Sequence, residues 1–130
     1  MYLATELLAG GDLLDAVLEC GKYDEIMARS IFRRVLLGMK YLHDTGITHR
    51  DMKLENLLLG ERHDLDSVKI CDLGLAKKAT EQLMKAVCGT PQYVSPEVIA
   101  SSPGQTYGPG VDNWAGSSKS CSPHIHRSPS

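Results

Sequence analysis

From about Asp24 to His43 the apolar residues Ile31, Phe32, Val35, Leu36, Met39 and Leu42 recur at intervals of three and four, with Arg29, Arg33, Arg34 and Lys40 filling much of the rest. That spacing predicts one long amphipathic helix with a buried face and a wet face, stopped by Asp44-Thr45-Gly46. Upstream, residues 2 to 8 suit a strand, Gly10-Gly11 breaks it, and Asp12 is placed to cap a short helix through Leu13, Leu14, Val17 and Leu18. Downstream, Leu57-Leu58-Leu59 and Val68-Lys69-Ile70 read as two short strands joined by a polar turn from Gly60 to Asp66. The expected class is therefore α+β, mainly helical with a small β-hairpin. Between Lys77 and Pro96 no period is sustained, which fits a loop shaped by its contacts. Residues 1–114 are expected to form one domain and the Ser- and Pro-rich residues 115–130 a disordered tail. A strand starting at Met1 would leave an unpaired edge, so the chain is expected to begin inside a domain.

Composition narrows the partners. In 130 residues, 14 basic side chains face 16 acidic ones, and a net charge of -2 gives no reason to expect a nucleic acid or a membrane. No signal peptide is legible at the N-terminus, and no apolar run approaches the roughly 20 residues of a membrane helix. A cytoplasmic or nuclear location is the expectation. Cys20, Cys71, Cys88 and Cys121 form no C-x-x-C pair, so reduced and mostly buried thiols are expected, with neither a zinc knuckle nor a redox motif. His124 and His126 make an HxH pair without further ligands, to which no metal site is assigned.

The chemistry concentrates in His49-Arg50-Asp51-Met52-Lys53-Leu54-Glu55-Asn56 and in Asp72-Leu73-Gly74. A lone Asp is usually a turn or cap residue. Here Asp51 and Asn56 stand five positions apart, and Asp72 stands sixteen beyond Asn56. Those are the groups that phosphoryl transfer needs to orient a hydroxyl and to hold two magnesium ions through hard oxygen ligands.

With the later stretches Gly89-Thr90-Pro91-Gln92-Tyr93-Val94-Ser95-Pro96-Glu97 and Gly110-Val111-Asp112-Asn113-Trp114, the order and spacing of these motifs become specific. Residues 1 to about 114 resemble the hinge and most of the upper C-terminal lobe of a eukaryotic Ser/Thr protein kinase, with the N-terminal lobe absent. The Gly-Gly-Asp-Leu, Val-Cys-Gly-Thr-Pro and Tyr-Gly-Pro-Gly-Val-Asp stretches look most like the calcium/calmodulin-dependent or checkpoint kinase group.

The resemblance implies a partial protein-kinase-like fold, ATP and Mg2+ as cofactors, and a protein substrate. It implies that Asp51 accepts the substrate hydroxyl proton, that Lys53 lies near the transferring phosphate, and that Asn56 and Asp72 hold the metal. Thr90 would hydrogen-bond Asp51 and Lys53, which favours Ser/Thr over Tyr substrates. Glu6, Leu7 and Leu8 resemble the hinge that meets the adenine edge, Leu58 the apolar floor beneath the ring, and Thr5 the gatekeeper. Asp12 and Glu55 look like the acidic pair that contacts ribose and a basic residue upstream of the phosphoacceptor. Arg50 would bind a phosphate on the activation loop, with Thr80 as the candidate acceptor. His49 would pack and position the loop rather than do acid-base work.

Several positions depart from the family pattern: Leu73 for Phe, Leu54 for Pro, and Ser95 for Ala. Missing elements weigh more. Without a Gly-rich loop and its Lys, nucleotide would be held from one side, and activity of the isolated chain should be very low. Without the long helix expected after Trp114, the apolar face of residues 31–42 has little to pack against. Two rivals follow: a non-catalytic binding module that competes with an intact kinase, or a truncated product that does not fold alone.

Overall fold

Asp24 caps the long helix by accepting a hydrogen bond from the Met27 amide at 2.7 Å, and the helix then runs Glu25–Asp44. In the computed structural model the described residues are Tyr2, 4–21, 24–78, 88–100 and 107–118. In chain order the regular elements are α1 (Leu13–Cys20), α2 (Glu25–Asp44), β1 (Ile47–Thr48), β2 (Leu57–Leu59), β3 (Val68–Ile70), β4 (Lys77–Lys78), α3 (Pro96–Ile99) and α4 (Gly110–Ser118). They fall into two units: Met1–Thr45 with Leu54–Leu73, and Gly46–Lys53 with Gly74–Ser130.

The first unit holds α1, α2 and the hairpin. Asp12 caps α1 through the Asp15 amide at 2.8 Å, as its position after Gly10-Gly11 leads one to expect. The strands β2 and β3 pair antiparallel with Leu57 opposite Ile70 and Leu59 opposite Val68. Leu59 is fully buried, and α2 lies across β3. Gly38 permits that packing, because a Cβ there would stand 2.9 Å from Ile70 Cδ1. Ile31, Val35 and Met39 are the buried rungs of α2, spaced by four as one helical face requires.

Two expectations for this unit need correction. Residues 2 and 4–8 form no strand, because no described strand hydrogen-bonds along them; Leu7 is 90% exposed. Sheet-like hydrogen bonding comes later, where the Gly10 amide donates to Leu59 O at 2.9 Å and the Leu59 amide to Gly11 O at 2.8 Å. Only part of the apolar face of α2 is covered, since Phe32 and Leu36 each remain 43% exposed.

The second unit contains β1 paired antiparallel with β4, the turn Pro91–Tyr93, α3 and α4. Its core is Val98, Tyr107 and Val111, with Val94 packed against them. The helix α4 does not end at Trp114 but continues to Ser118, four residues into the expected tail. Burial of Val111 and Ala115 one turn apart gives it an apolar side, and the Ser117 hydroxyl donates to Trp114 O at 3.0 Å. The remainder of the tail, residues 119–130, lies outside the described residues, as does Thr80. The described thiols are less buried than expected: Cys20 is exposed and Cys71 and Cys88 are half-buried. Among the described residues no helix is long and apolar enough to cross a membrane.

Candidate active site

The short strand β1 ends at buried Thr48 and is followed by buried His49, and the chain then bends sharply at Arg50, whose φ of 69° is rare for a side-chain-bearing residue. Asp112, on the first turn of α4, holds that bend. Its carboxylate accepts the His49 amide at 2.9 Å and the Arg50 amide at 2.8 Å, and it is only 1% exposed. The Arg50 guanidinium donates through Nε to Leu75 O at 2.6 Å and through Nη1 to the Tyr107 hydroxyl at 3.4 Å. The Cys88 thiol lies 3.7 Å from that same hydroxyl. Burial pushes the Tyr107 phenol above its ordinary pKa.

Asp51 follows directly, and both of its oxygens are engaged. Oδ1 accepts the Thr90 amide at 2.9 Å and the Thr90 hydroxyl at 2.7 Å, while Oδ2 pairs with Lys53 Nζ at 2.9 Å. Lys53 Nζ also donates to Thr90 Oγ1 at 3.3 Å, closing a three-residue network. Burial pushes the Asp51 carboxyl up, but hydrogen bonds from Lys53 and Thr90 together with the Lys53 charge outweigh it and hold the group below its ordinary value. Asp51 is thus an ionised acceptor at neutral pH, with a cation beside it.

This lowered pKa has a stability consequence of definite sign. The unfolded chain takes up the proton first, so the contribution of Asp51 is present above about pH 4 and is lost as pH falls through the lower folded value. Urea unfolding at about pH 6 and about pH 3 should therefore cost the wild type more stability than Asp51→Asn. Equal losses would show that the carboxylate is not held by these partners.

The other candidate residues belong to the first unit. Asn56 is buried just before β2, and its carbonyl accepts the Cys71 amide at 2.9 Å, which extends the hairpin pairing by one rung. Asn56 and Asp72 are thereby brought to the same end of the hairpin. Asp72 is exposed and has a φ of 59°, a second left-handed bend at a polar residue. Among the described residues no three His, Cys, Asp or Glu side chains gather as a cage. Two oxygen donors at one hairpin end suit magnesium, which takes one or two protein ligands and completes its shell with phosphate and water. Burial pushes the neighbouring Cys71 thiol up.

Glu6 is exposed and pairs with Lys69 at 2.7 Å, Leu8 is half-buried, and Leu58 is half-buried with a bridge to Asp12. Asp12 serves its helix as a cap, and Glu55 is exposed in the turn before β2. The Ser95 hydroxyl is buried with no hydrogen-bond partner among the described residues. The sequence marks Asp112 only as part of the Gly110-to-Trp114 stretch and as the acidic residue opening a helix; its hold on the His49 and Arg50 amides is not legible there.

Residues 1–118 match the family model described as protein kinase domain. The chain is 44% identical over 115 residues to calcium/calmodulin-dependent protein kinase type 1 of Macrobrachium nipponense, covering 88% of this chain and 32% of that protein. It is 44% identical over 118 residues to the serine/threonine-protein kinase H1 homolog of Danio rerio, covering 88% of this chain and 27% of that one. With calcium/calmodulin-dependent protein kinase type IV of Mus musculus it shares 46% over 114 residues, 87% of this chain and 24% of the relative. The chain thus spans about a third or less of the curated relatives it matches.

Proposed function

Given that this chain belongs to the protein kinase family, we propose that it carries the catalytic-loop portion of a Ser/Thr kinase, which transfers the γ-phosphate of ATP to a Ser or Thr hydroxyl. The observation that carries this reading is Asp51, an ionised carboxylate held between Lys53 and Thr90. Asp51 orients the acceptor hydroxyl and takes its proton late in transfer. Lys53, fixed against Asp51, offers positive charge to the oxygens of the moving phosphoryl group. Asn56 and Asp72 supply the amide and carboxylate oxygens that hold magnesium with the nucleotide. Bound magnesium would neutralise charge on the β- and γ-phosphates.

Glu6, Leu8 and Leu58 are the residues assigned to the adenine side of the nucleotide. Asp12 and Glu55 are assigned to ribose and to a basic residue upstream of the acceptor, by charge complementarity. Arg50 is the receptor for a phosphate on the activation segment, with Thr80 as acceptor. The name of one relative, a serine/threonine-protein kinase H1 homolog, supports the Ser/Thr assignment.

The test is transfer from γ-labelled ATP by the native protein, captured from cells with an antibody to this chain. Matched peptides carry one Arg upstream of a single Ser, Thr or Tyr. Ser and Thr peptides should be labelled and the Tyr peptide not; labelling of Tyr alone, or of none, overturns the proposal.

A further inference from the structure

We infer that Gly89 is a positioning residue for Asp51, because it is the one backbone shape that lets Thr90 close onto the carboxylate; the inference rests on the reading of Asp51 as the base. Gly89 has a φ of 113°, a conformation open to glycine and strained for any L side chain. A Cβ built there would stand 2.8 Å from Arg50 O, well inside van der Waals contact.

That obstacle cannot yield cheaply. Arg50 O belongs to a residue whose amide is tied to Asp112 at 2.8 Å and whose own φ is 69°. The loop on one side is pinned, so an added methyl would displace the other side, the segment Cys88-Gly89-Thr90. Thr90 is the next residue, and it places two hydrogen bonds on Asp51 Oδ1, from its amide at 2.9 Å and its hydroxyl at 2.7 Å. A shift of a few tenths of an ångström at residue 89 therefore acts where those bonds are made. The chain of support runs from Asp112 through Arg50 to Gly89, and from there through Thr90 to Asp51.

A purely structural glycine and a positioning glycine predict different readouts. In the 130-residue chain, the carboxyl carbon of Asp51 is titrated by NMR in the wild type, Gly89→Ala, Thr90→Val and Gly108→Ala. Among the described residues nothing stands within 4 Å of a Cβ at Gly108, which serves as control. Thr90→Val removes the hydroxyl bond and Gly89→Ala disturbs both the hydroxyl and the amide bond, so the Asp51 pKa should rise in both variants. Gly108→Ala should leave it unmoved. An Asp51 titration in Gly89→Ala equal to wild type overturns the inference, whatever happens to stability.

Should Gly89→Ala fail to fold, residue 89 is replaced by D-alanine in a chain joined chemically at Cys88. The D residue favours positive φ and does not put its methyl at the L position 2.8 Å from Arg50 O, so the wild-type titration should return. Failure of the D form as well overturns the inference. In the native protein, Gly89→Ala should lower kcat about 100-fold with KM for ATP unchanged, the scale expected of a misplaced catalytic group. Added to Thr90→Val it should cause little further loss, and additive losses count against it. If no variant transfers phosphate, the kinase reading fails while the titration still decides the role of Gly89.

Discussion

Asp51→Asn, introduced so that the native protein carries it, is expected to lower phosphotransfer to Ser and Thr peptides by about 10² to 10⁴-fold, the range general-base removal typically gives. Asparagine keeps the size of the side chain and one acceptor oxygen. That oxygen can still receive the Thr90 amide and hydroxyl, which now stand 2.9 and 2.7 Å from Oδ1. What it cannot do is take a proton, and it turns an NH2 group toward Lys53 Nζ in place of the oxygen now 2.9 Å away. Lys53 then loses its ion pair with residue 51, while its hydrogen bond to Thr90 Oγ1 at 3.3 Å is not directly removed. Binding of ATP, which draws on other residues, should change little, so the loss belongs in kcat rather than in KM. Retention of activity within about threefold would remove Asp51 from the base role, since no general-base residue is lost so cheaply.

The same network shows which links were legible in the sequence. The ion pair of Asp51 with Lys53 emerges only in the structure, whereas the Thr90 bonds to Asp51 and Lys53 were implied by the resemblance. The helix α2 was equally open to reading, because Asp24, the four-residue rungs Ile31, Val35 and Met39, and the Thr45-Gly46 stop are all local signals. The hairpin followed from two short apolar runs separated by a polar turn. Residues 2–8 have the composition of a strand and are not one, since a strand is defined by a partner and composition does not supply it. The pair β1 and β4 went unread for the opposite reason: two residues carry no period, yet thirty positions apart they find each other. Phe32 and Leu36 carry the helical signal but not the burial it suggests, because a period states which face is apolar and not what covers it. Thr90 meets Asp51 across thirty-nine positions, a contact the resemblance implied, but no role for the neighbouring Gly89 was legible in the sequence.

Asp112 is the most distant of these links, and its removal should be felt most in stability. Asp112→Ala is expected to destabilise the second unit by about 3 to 6 kcal/mol, counting two hydrogen bonds to a charged acceptor at about 1.5 to 3 kcal/mol each. The carboxylate is 1% exposed and bonds the His49 and Arg50 amides at 2.9 and 2.8 Å. Alanine leaves both donors facing a void too enclosed for free replacement by solvent. Arg50 makes the loss larger than the bonds alone. A non-glycine residue at a φ of 69° persists only where its surroundings dictate it, and with Asp112 gone the bend can relax toward negative φ. Relaxation would carry Asp51 out of register with Thr90, so the stability loss and the loss of catalysis should travel together. Asp112→Asn separates charge from shape: one oxygen still accepts, but an NH2 group confronts the second amide, donor against donor. It should fall between wild type and alanine. Trp114, the single tryptophan and a neighbour of Asp112 on α4, reports the unit directly, so urea unfolding followed by its fluorescence suits the measurement. A loss below about 1 kcal/mol in Asp112→Ala, less than one ordinary buried hydrogen bond, would mean that the bend at Arg50 is held by something other than this carboxylate.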